Sequence, residues 1–127
     1  MSYLFDTNII IGFLKNEEKI VKKIKNENQL NISVITVGEM LFGARNSELF
    51  EKNINIYKDF FKQCNIFCIT EKTSAIYSEI RYRLKKIGKP IPENDIWIAS
   101  VSEENNLTLV TRDKHLIDID FIKKEIW

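Results

Sequence analysis

The stretch from Ile91 to Asp113, IPENDIWIASVSEENNLTLVTRD, constrains the fold of this chain more than any other. Pro92, Glu93, Asn94 and Asp95 carry helix-start chemistry, because proline fits the first helical turn and carboxylates favour the positive end of the helix dipole. Ile96, Trp97, Ile98, Ala99 and Val101 follow with little polar interruption, so a helix with most of its faces buried is predicted. Glu103 to Asn106 close it, and Leu107 to Thr111 form an apolar run of the kind found in an interior strand of a parallel sheet. Asp113 comes just after that strand. Ligands of open parallel α/β sheets collect outside the carboxyl ends of the strands. An aspartate there, and another at a buried helix start, are placed to do chemistry if the rest of the chain brings partners to the same spot.

The remainder repeats the alternation of strand and helix. Tyr3 to Phe5 read as a first strand ending at Asp6, and Ile9 to Leu14 as a short apolar helix. Glu17 to Asn28 is a charged helix with Ile20, Val21 and Ile24 as its apolar stripe. Leu30 to Ile35, rich in β-branched residues, reads as a second strand. Met40, Leu41 and Phe42 continue into a helix that Gly43 interrupts, and Ser47 is placed to cap the next helix. Ile66 to Ile69 form a third strand. Thr70 starts a helix carrying Ala75, Ile76, Ile80 and Leu84, and Ile122 to Trp127 add a short edge strand. The expected fold class is α/β: one domain over residues 1–127, with a central, mostly parallel sheet of about four to five strands flanked by helices.

With 127 residues there is room for one core. The N-terminal MSYLFDTNIIIGFLK lacks a basic leader and a cleavage site, and Asp6 and Asn8 interrupt its apolar run. Neither a signal peptide nor a membrane span is expected, which points to the cytoplasm. Cys64 and Cys68 read as two buried thiols; with the single His115 they make no four-ligand zinc set. His115 itself reads as a solvated loop residue. The net charge of +1 hides a basic remainder once an acidic centre is set aside, which is compatible with a polyanionic substrate. Arg81, Arg83, Lys85, Lys86 and Lys89 cluster before the central helix, either as solvated cations suited to a helix C-terminus or as a steering patch for phosphates.

Four acids stand out by position: Asp6 after the first strand, Glu39 after the second, Asp95 at the buried helix start and Asp113 after the fourth strand. Each has a plain structural reading. Asp6 with Thr7 and Asn8 makes a turn and cap. Glu39 follows Thr36 at capping-box spacing. Asp95 complements a helix dipole, and Asp113 is a loop acid. Taken together they describe something else. Two unit charges about 4 Å apart repel by roughly 4 kcal/mol at an effective dielectric of about 20. Four carboxylates at one place therefore call for a cation or for raised pKa values. Oxygen ligands of this kind select a hard divalent ion, Mg²⁺ or Mn²⁺.

The blocks LFDTNIIIGFL, SVITVGEMLFGA, IPENDIWIAS and NLTLVTRD, in this order and spacing, resemble the PIN-domain ribonucleases, and among them the VapC-type toxins of bacterial toxin–antitoxin pairs. The resemblance spans nearly the whole chain. It implies a PIN-like nuclease domain in which Asp6, Glu39, Asp95 and Asp113 are the catalytic, metal-binding acids and Asn8 and Thr111 support them. It further implies Mg²⁺-dependent hydrolysis of RNA by a metal-activated water, a homodimer, and silencing by a small VapB-type antitoxin. The alternatives are a catalytically inactive PIN fold that binds RNA or a partner, a metal-dependent phosphatase, for which Asp6-Thr7-Asn8 places asparagine in the acid/base position, and a phospho-acceptor receiver module, whose acceptor strand lacks an aspartate here.

Overall fold

The computed structural model describes residues 2–127. The chain runs β1 (Tyr3–Phe5), α1 (Thr7–Leu14), α2 (Glu18–Lys25), β2 (Asn31–Ser33), α3 (Val34–Arg45), α4 (Phe50–Phe61), β3 (Asn65–Phe67), α5 (Glu71–Lys86), α6 (Glu93–Glu104), β4 (Thr108–Thr111) and β5 (Lys124–Ile126). A 3₁₀ turn at Lys114–Leu116 follows β4. Every strand pair is parallel. β1 pairs with β4, Leu4 opposite Leu109, and β4 pairs with β5 on its other side. β2 pairs with β3, Ile32 opposite Ile66.

The two ladders meet at β1 and β2, and there a side chain joins them. Asn31 Nδ2 donates to the Tyr3 carbonyl at 2.8 Å, and Asn65 Nδ2 donates to Asn31 Oδ1 at 3.0 Å. The strands β1, β2 and β4, expected as neighbours, therefore are neighbours, with β1 between the other two. Successive residues of a strand face opposite sides of the sheet, and both sides here are covered. Leu4 and Leu109 pack with Ile80, Leu84, Ile96, Ile98 and Val101 of α5 and α6. Phe5 and Val110 pack with Ile9, Ile10, Ile20, Ile24, Ile32, Met40 and Phe60. This is why β1 and β4 read as continuous apolar runs.

Helix α6 buries Ile96 and the whole run from Ile98 to Ser102. Its two buried serines are satisfied locally, Ser100 Oγ donating to the Ile96 carbonyl at 2.6 Å and Ser102 Oγ to the Leu107 carbonyl at 2.8 Å. Trp97 stacks on Tyr77 of α5 with ring centroids 3.9 Å apart.

Several local expectations are corrected. β2 stops at Ser33, whose Oγ accepts from Thr36 N at 3.1 Å and caps α3. Val34 and Ile35 are thereby drawn into the helix despite their β-branching, since a cap satisfies donors that propensity alone leaves open. Thr36 lies inside the helix, so no Thr36–Glu39 capping box forms. Gly43 sits within α3 and does not interrupt it. Ser47 does not cap α4, which starts after Leu49; its hydroxyl donates to the Ala44 carbonyl at 2.7 Å and closes α3. Cys64 is half-buried and Cys68 exposed, not two buried thiols. The cause is that β3 ends one ladder of the sheet, leaving Ile66 of its apolar run 41 % exposed.

Asn31 is 3 % exposed; its Nδ2 bridges to β1 while its Oδ1 ties β2 to Asn65 of its own ladder. Removing it deletes two part-buried hydrogen bonds and leaves the Tyr3 carbonyl without this partner, while the exposed Asn65 amide can turn to water. Asn31→Ala is expected to lower the unfolding free energy by about 1–2 kcal/mol in urea titrations. A loss within experimental error would mean that the side-chain bridge does not join the ladders.

Candidate metal-binding active site

Asp6 caps α1 and also faces the carboxyl end of the sheet. Its main-chain N–H extends the β1–β4 ladder by donating to the Val110 carbonyl at 2.9 Å. Its Oδ1 accepts from Thr7 N at 2.8 Å, and its Oδ2 accepts from Thr111 Oγ1 at 2.7 Å. The carboxylate is 4 % exposed. Burial pushes its pKa up; the Thr111 hydroxyl and the Thr7 amide oppose that, and the charges of Asp113 and Glu39 reinforce it. The structural reading of Asp6 is met, since it caps α1, and the same residue also lines the cleft.

Glu39 stands in the second turn of α3. Its Oε1 accepts from Thr7 Oγ1 at 2.6 Å, and its Oε2 accepts from Asn94 Nδ2 at 3.4 Å. The side chain is thus held between the starts of α1 and α6 and has no capping role. Asp95 lies in the first turn of α6, as expected. Its pKa is pushed up to about 6, first by burial and then by the charges of Asp6, Asp113 and Glu39, with the contact to His115 opposing them. Asp113 follows β4, and its N–H donates to Thr111 Oγ1 at 3.1 Å.

Thr111 is the hub of this arrangement. Its hydroxyl donates to Asp6, and it accepts from Asn8 Nδ2 at 3.4 Å as well as from the Asp113 amide. Asn8 Oδ1 in turn accepts from Arg112 N at 3.3 Å. Asn8 and Thr111 are thus tied to each other, to Asp6 and to the turn that carries Arg112 and Asp113. Asp6, Glu39, Asp95 and Asp113 all line one cleft of about 400 Å³.

The structure adds residues that the sequence did not single out. His115, expected as a solvated loop residue, is half-exposed but turns Nε2 to within 3.7 Å of Asp95 and 3.9 Å of Asp113. One ligand atom from each of these three residues can be chosen within 4.8 Å of the others, a spacing suited to a metal ion. Thr7, Asn94, Gly12, Glu17 and Arg112 also belong to the cleft or its scaffold. The adjacency of Arg112 to Asp113 was the one signal for these in the chain; Glu17 gave none. Among the cations before α6, three have local partners of their own. Arg81 pairs with Glu93 at 3.5 Å, Arg83 lies over Phe121 at 4.1 Å and Lys89 pairs with Asp118 at 3.7 Å.

Without divalent ions, the raised pKa values of Asp6 and Asp95 make these two groups less stabilising as pH rises. An acid whose folded pKa lies above its unfolded value binds more protons when folded, so stability falls as pH rises between the two values. For Asp95 that window runs from 3.8 to about 6, and the cost is about 3 kcal/mol once both limits are passed. Melting temperature in EDTA should therefore fall from pH 4 to pH 7, and Asp95→Asn should flatten the fall. Equal slopes for parent and variant would show that Asp95 is not the group responsible.

A family model described as the PIN domain matches residues 3–122. Ribonuclease VapC2 of Haemophilus influenzae is 36 % identical over 115 residues, which is 89 % of this chain and 87 % of that protein. The tRNA(fMet)-specific endonuclease VapC of Shigella flexneri is 26 % identical over all of this chain and 98 % of its own length. Among solved structures, DNA-bound VapBC from Salmonella typhimurium superposes with a TM-score of 0.91 at 27 % identity, covering 100 % of this chain and 98 % of the matched one. Four acids at the carboxyl end of a parallel sheet and these likenesses together establish that the chain belongs to the PIN-domain family, among its VapC-type members.

Proposed function

We propose that this protein is the endoribonuclease toxin of a toxin–antitoxin pair, hydrolysing RNA phosphodiester bonds with Mg²⁺ or Mn²⁺ held by Asp6, Glu39, Asp95 and Asp113. The observation that carries the reading is the convergence of those four carboxylates, each from a different part of the chain, on one cleft. The donor set fits a hard divalent cation. It is dominated by carboxylate oxygens, and two of its members have pKa values raised partly by their neighbours' charge, which is the strain a cation relieves. When bound, such an ion supplies the positive charge that lowers the pKa of a water and balances charge on the phosphodiester.

The protein's part is positioning. Thr111 and the Thr7 amide fix the two oxygens of Asp6 in different directions. Thr7 and Asn94 fix Glu39. His115 turns Nε2 toward Asp95 and Asp113. No side chain is needed as a nucleophile. The named activities of the ribonuclease and tRNA endonuclease relatives support RNA as the substrate.

The same reading includes a VapB-type antitoxin, which the matched Salmonella structure of VapBC supports, and a homodimer, which the resemblance implies. Exposed apolar side chains support a covered surface: Val34 and Phe42, the latter 69 % exposed, flank a hollow that Glu39 and Asn94 also line. No helix among the described residues is long and apolar enough to cross a membrane. The proposed place of action is the cytoplasm, where the RNA is.

Cleavage is expected to vanish in EDTA and to return with Mg²⁺ or Mn²⁺. Full activity in EDTA would refute the metal assignment. Glu39→Gln keeps an acceptor for Thr7 but removes a charge, so it should fold normally, lose much of the Mg²⁺-induced rise in melting temperature and lose about 10²-fold in cleavage rate. Activity and Mg²⁺ shift both at parent levels would take Glu39 out of the site.

A further inference from the structure

The cleft presents Asp6, Glu39, Asp95, Asp113 and Glu17 to an incoming polyanion and, among the described residues, only two cations, Lys15 and Arg112. Lys15 is exposed at the end of α1. Arg112 is built in. Its backbone is tied to Asn8, its Nη1 donates to Glu17 Oε1 at 3.3 Å, and its Nη2 pairs with the other Glu17 oxygen. The guanidinium rests against Gly12. A Cβ on that residue would collide with Nη2 and come within 3.2 Å of Cζ, with Glu17 Oε2 at 3.1 Å.

The backbone sets this seat. Helix α1 ends with Asn16 at φ 58°, a left-handed conformation that asparagine tolerates better than most residues. That turn lets Glu17 N donate to the Gly12 carbonyl at 3.0 Å, the closure in which the second residue past the cap bonds back to the last helical turn. Glu17 is thereby fixed above Gly12 before any side-chain contact is made. The pair then lowers the Glu17 pKa, chiefly through its hydrogen bond to Arg112. Although Arg112 adjoins Asp113 in sequence, Glu17 is the carboxylate it pairs with among the described residues. Its charge is not turned to relieving repulsion among the four acids.

We propose that Arg112 is a substrate-positioning residue, seated on Gly12 and oriented by Glu17 so that its guanidinium grips a backbone phosphate of the RNA at the wall of the cleft. This rests on the ribonuclease reading above. A guanidinium has five N–H donors in a rigid fork, so the grip of Glu17 leaves donors for a phosphate. Holding the fork in place beforehand removes side-chain ordering from the cost of binding. The acidic cleft makes such a contact necessary, because without an ion its own charges oppose the substrate.

The test uses a labelled single-stranded RNA oligonucleotide and the Glu39→Gln protein in EDTA, with affinity measured across a salt series. Arg112→Ala should weaken binding about tenfold and reduce the salt slope by about one phosphate contact. Arg112→Lys should restore the slope more than the affinity. Gly12→Ala should weaken binding when Arg112 is present and have no further effect in the Arg112→Ala background. Unchanged affinity and slope in Arg112→Ala, an equal Gly12→Ala penalty in both backgrounds, or no RNA binding by the starting protein would each overturn the proposal. This binding pattern, with the Glu39 parent cleaving no RNA in Mg²⁺, would fault the ribonuclease reading alone.

Discussion

The bond from the Thr111 hydroxyl to the buried Asp6 carboxylate is the interaction on which the rest of the site depends. It joins the carboxyl ends of β1 and β4, the two strands that the core encloses on both faces. It fixes one oxygen of Asp6 while the start of α1 fixes the other. The same hydroxyl receives Asn8 and the Asp113 amide, so α1 and the turn after β4 take their places relative to it. A threonine serves here because its hydroxyl both donates and accepts, and its methyl group packs in a strand that is fully buried.

Around that bond the protein accepts an electrostatic penalty that ordinary packing must carry. Burial alone raises the cost of ionising Asp6 and Asp95, and each further acid adds to it. The compensation lies in the layers above and below the sheet, where the side chains of Leu4, Phe5, Leu109 and Val110 are almost wholly removed from water. Destabilising groups concentrated at a working site and stability drawn from elsewhere is the common division in natural proteins. A bound cation would move part of that stability into the site itself, which makes ion binding and folding one coupled equilibrium.

Much of this was legible in the chain because its strongest signals were long-period ones. The buried helix from Glu93 to Glu104 and the strand after it declared themselves by unbroken apolar runs, and Asp6, Asp95 and Asp113 stood at or near element boundaries, whereas Glu39 lies in the second turn of α3. The misreadings came where a single local bond decides the outcome. Ser33 ends β2 by capping α3, so Val34 and Ile35 are helical although their type favours strands. The Thr36–Glu39 spacing matched a capping box, but Thr7, far away in sequence, claims the Glu39 carboxylate. Glu17 was invisible as a cleft residue because its position comes from the left-handed turn at Asn16, a conformation that composition does not encode. His115 was read as solvated, and half of it is; what the sequence could not convey is the direction of Nε2.

The parallel pairing of β1 with β4 also orders events in time. The Thr111–Asp6 bond spans 105 residues of chain, and β5 packs beyond it at the extreme carboxyl end. During synthesis the amino-terminal part emerges with Asp6, Glu39 and their helices long before Thr111 and Asp113 exist to complete the cleft. Contacts so distant in sequence form late, after the intervening chain has been ordered. A nascent or truncated polypeptide therefore holds only a fraction of the acid set and lacks the hydroxyl that orients its first member. Topology acts as a safety catch on the cleft: its full acid set exists only once β4 and the turn after it have been made and ordered.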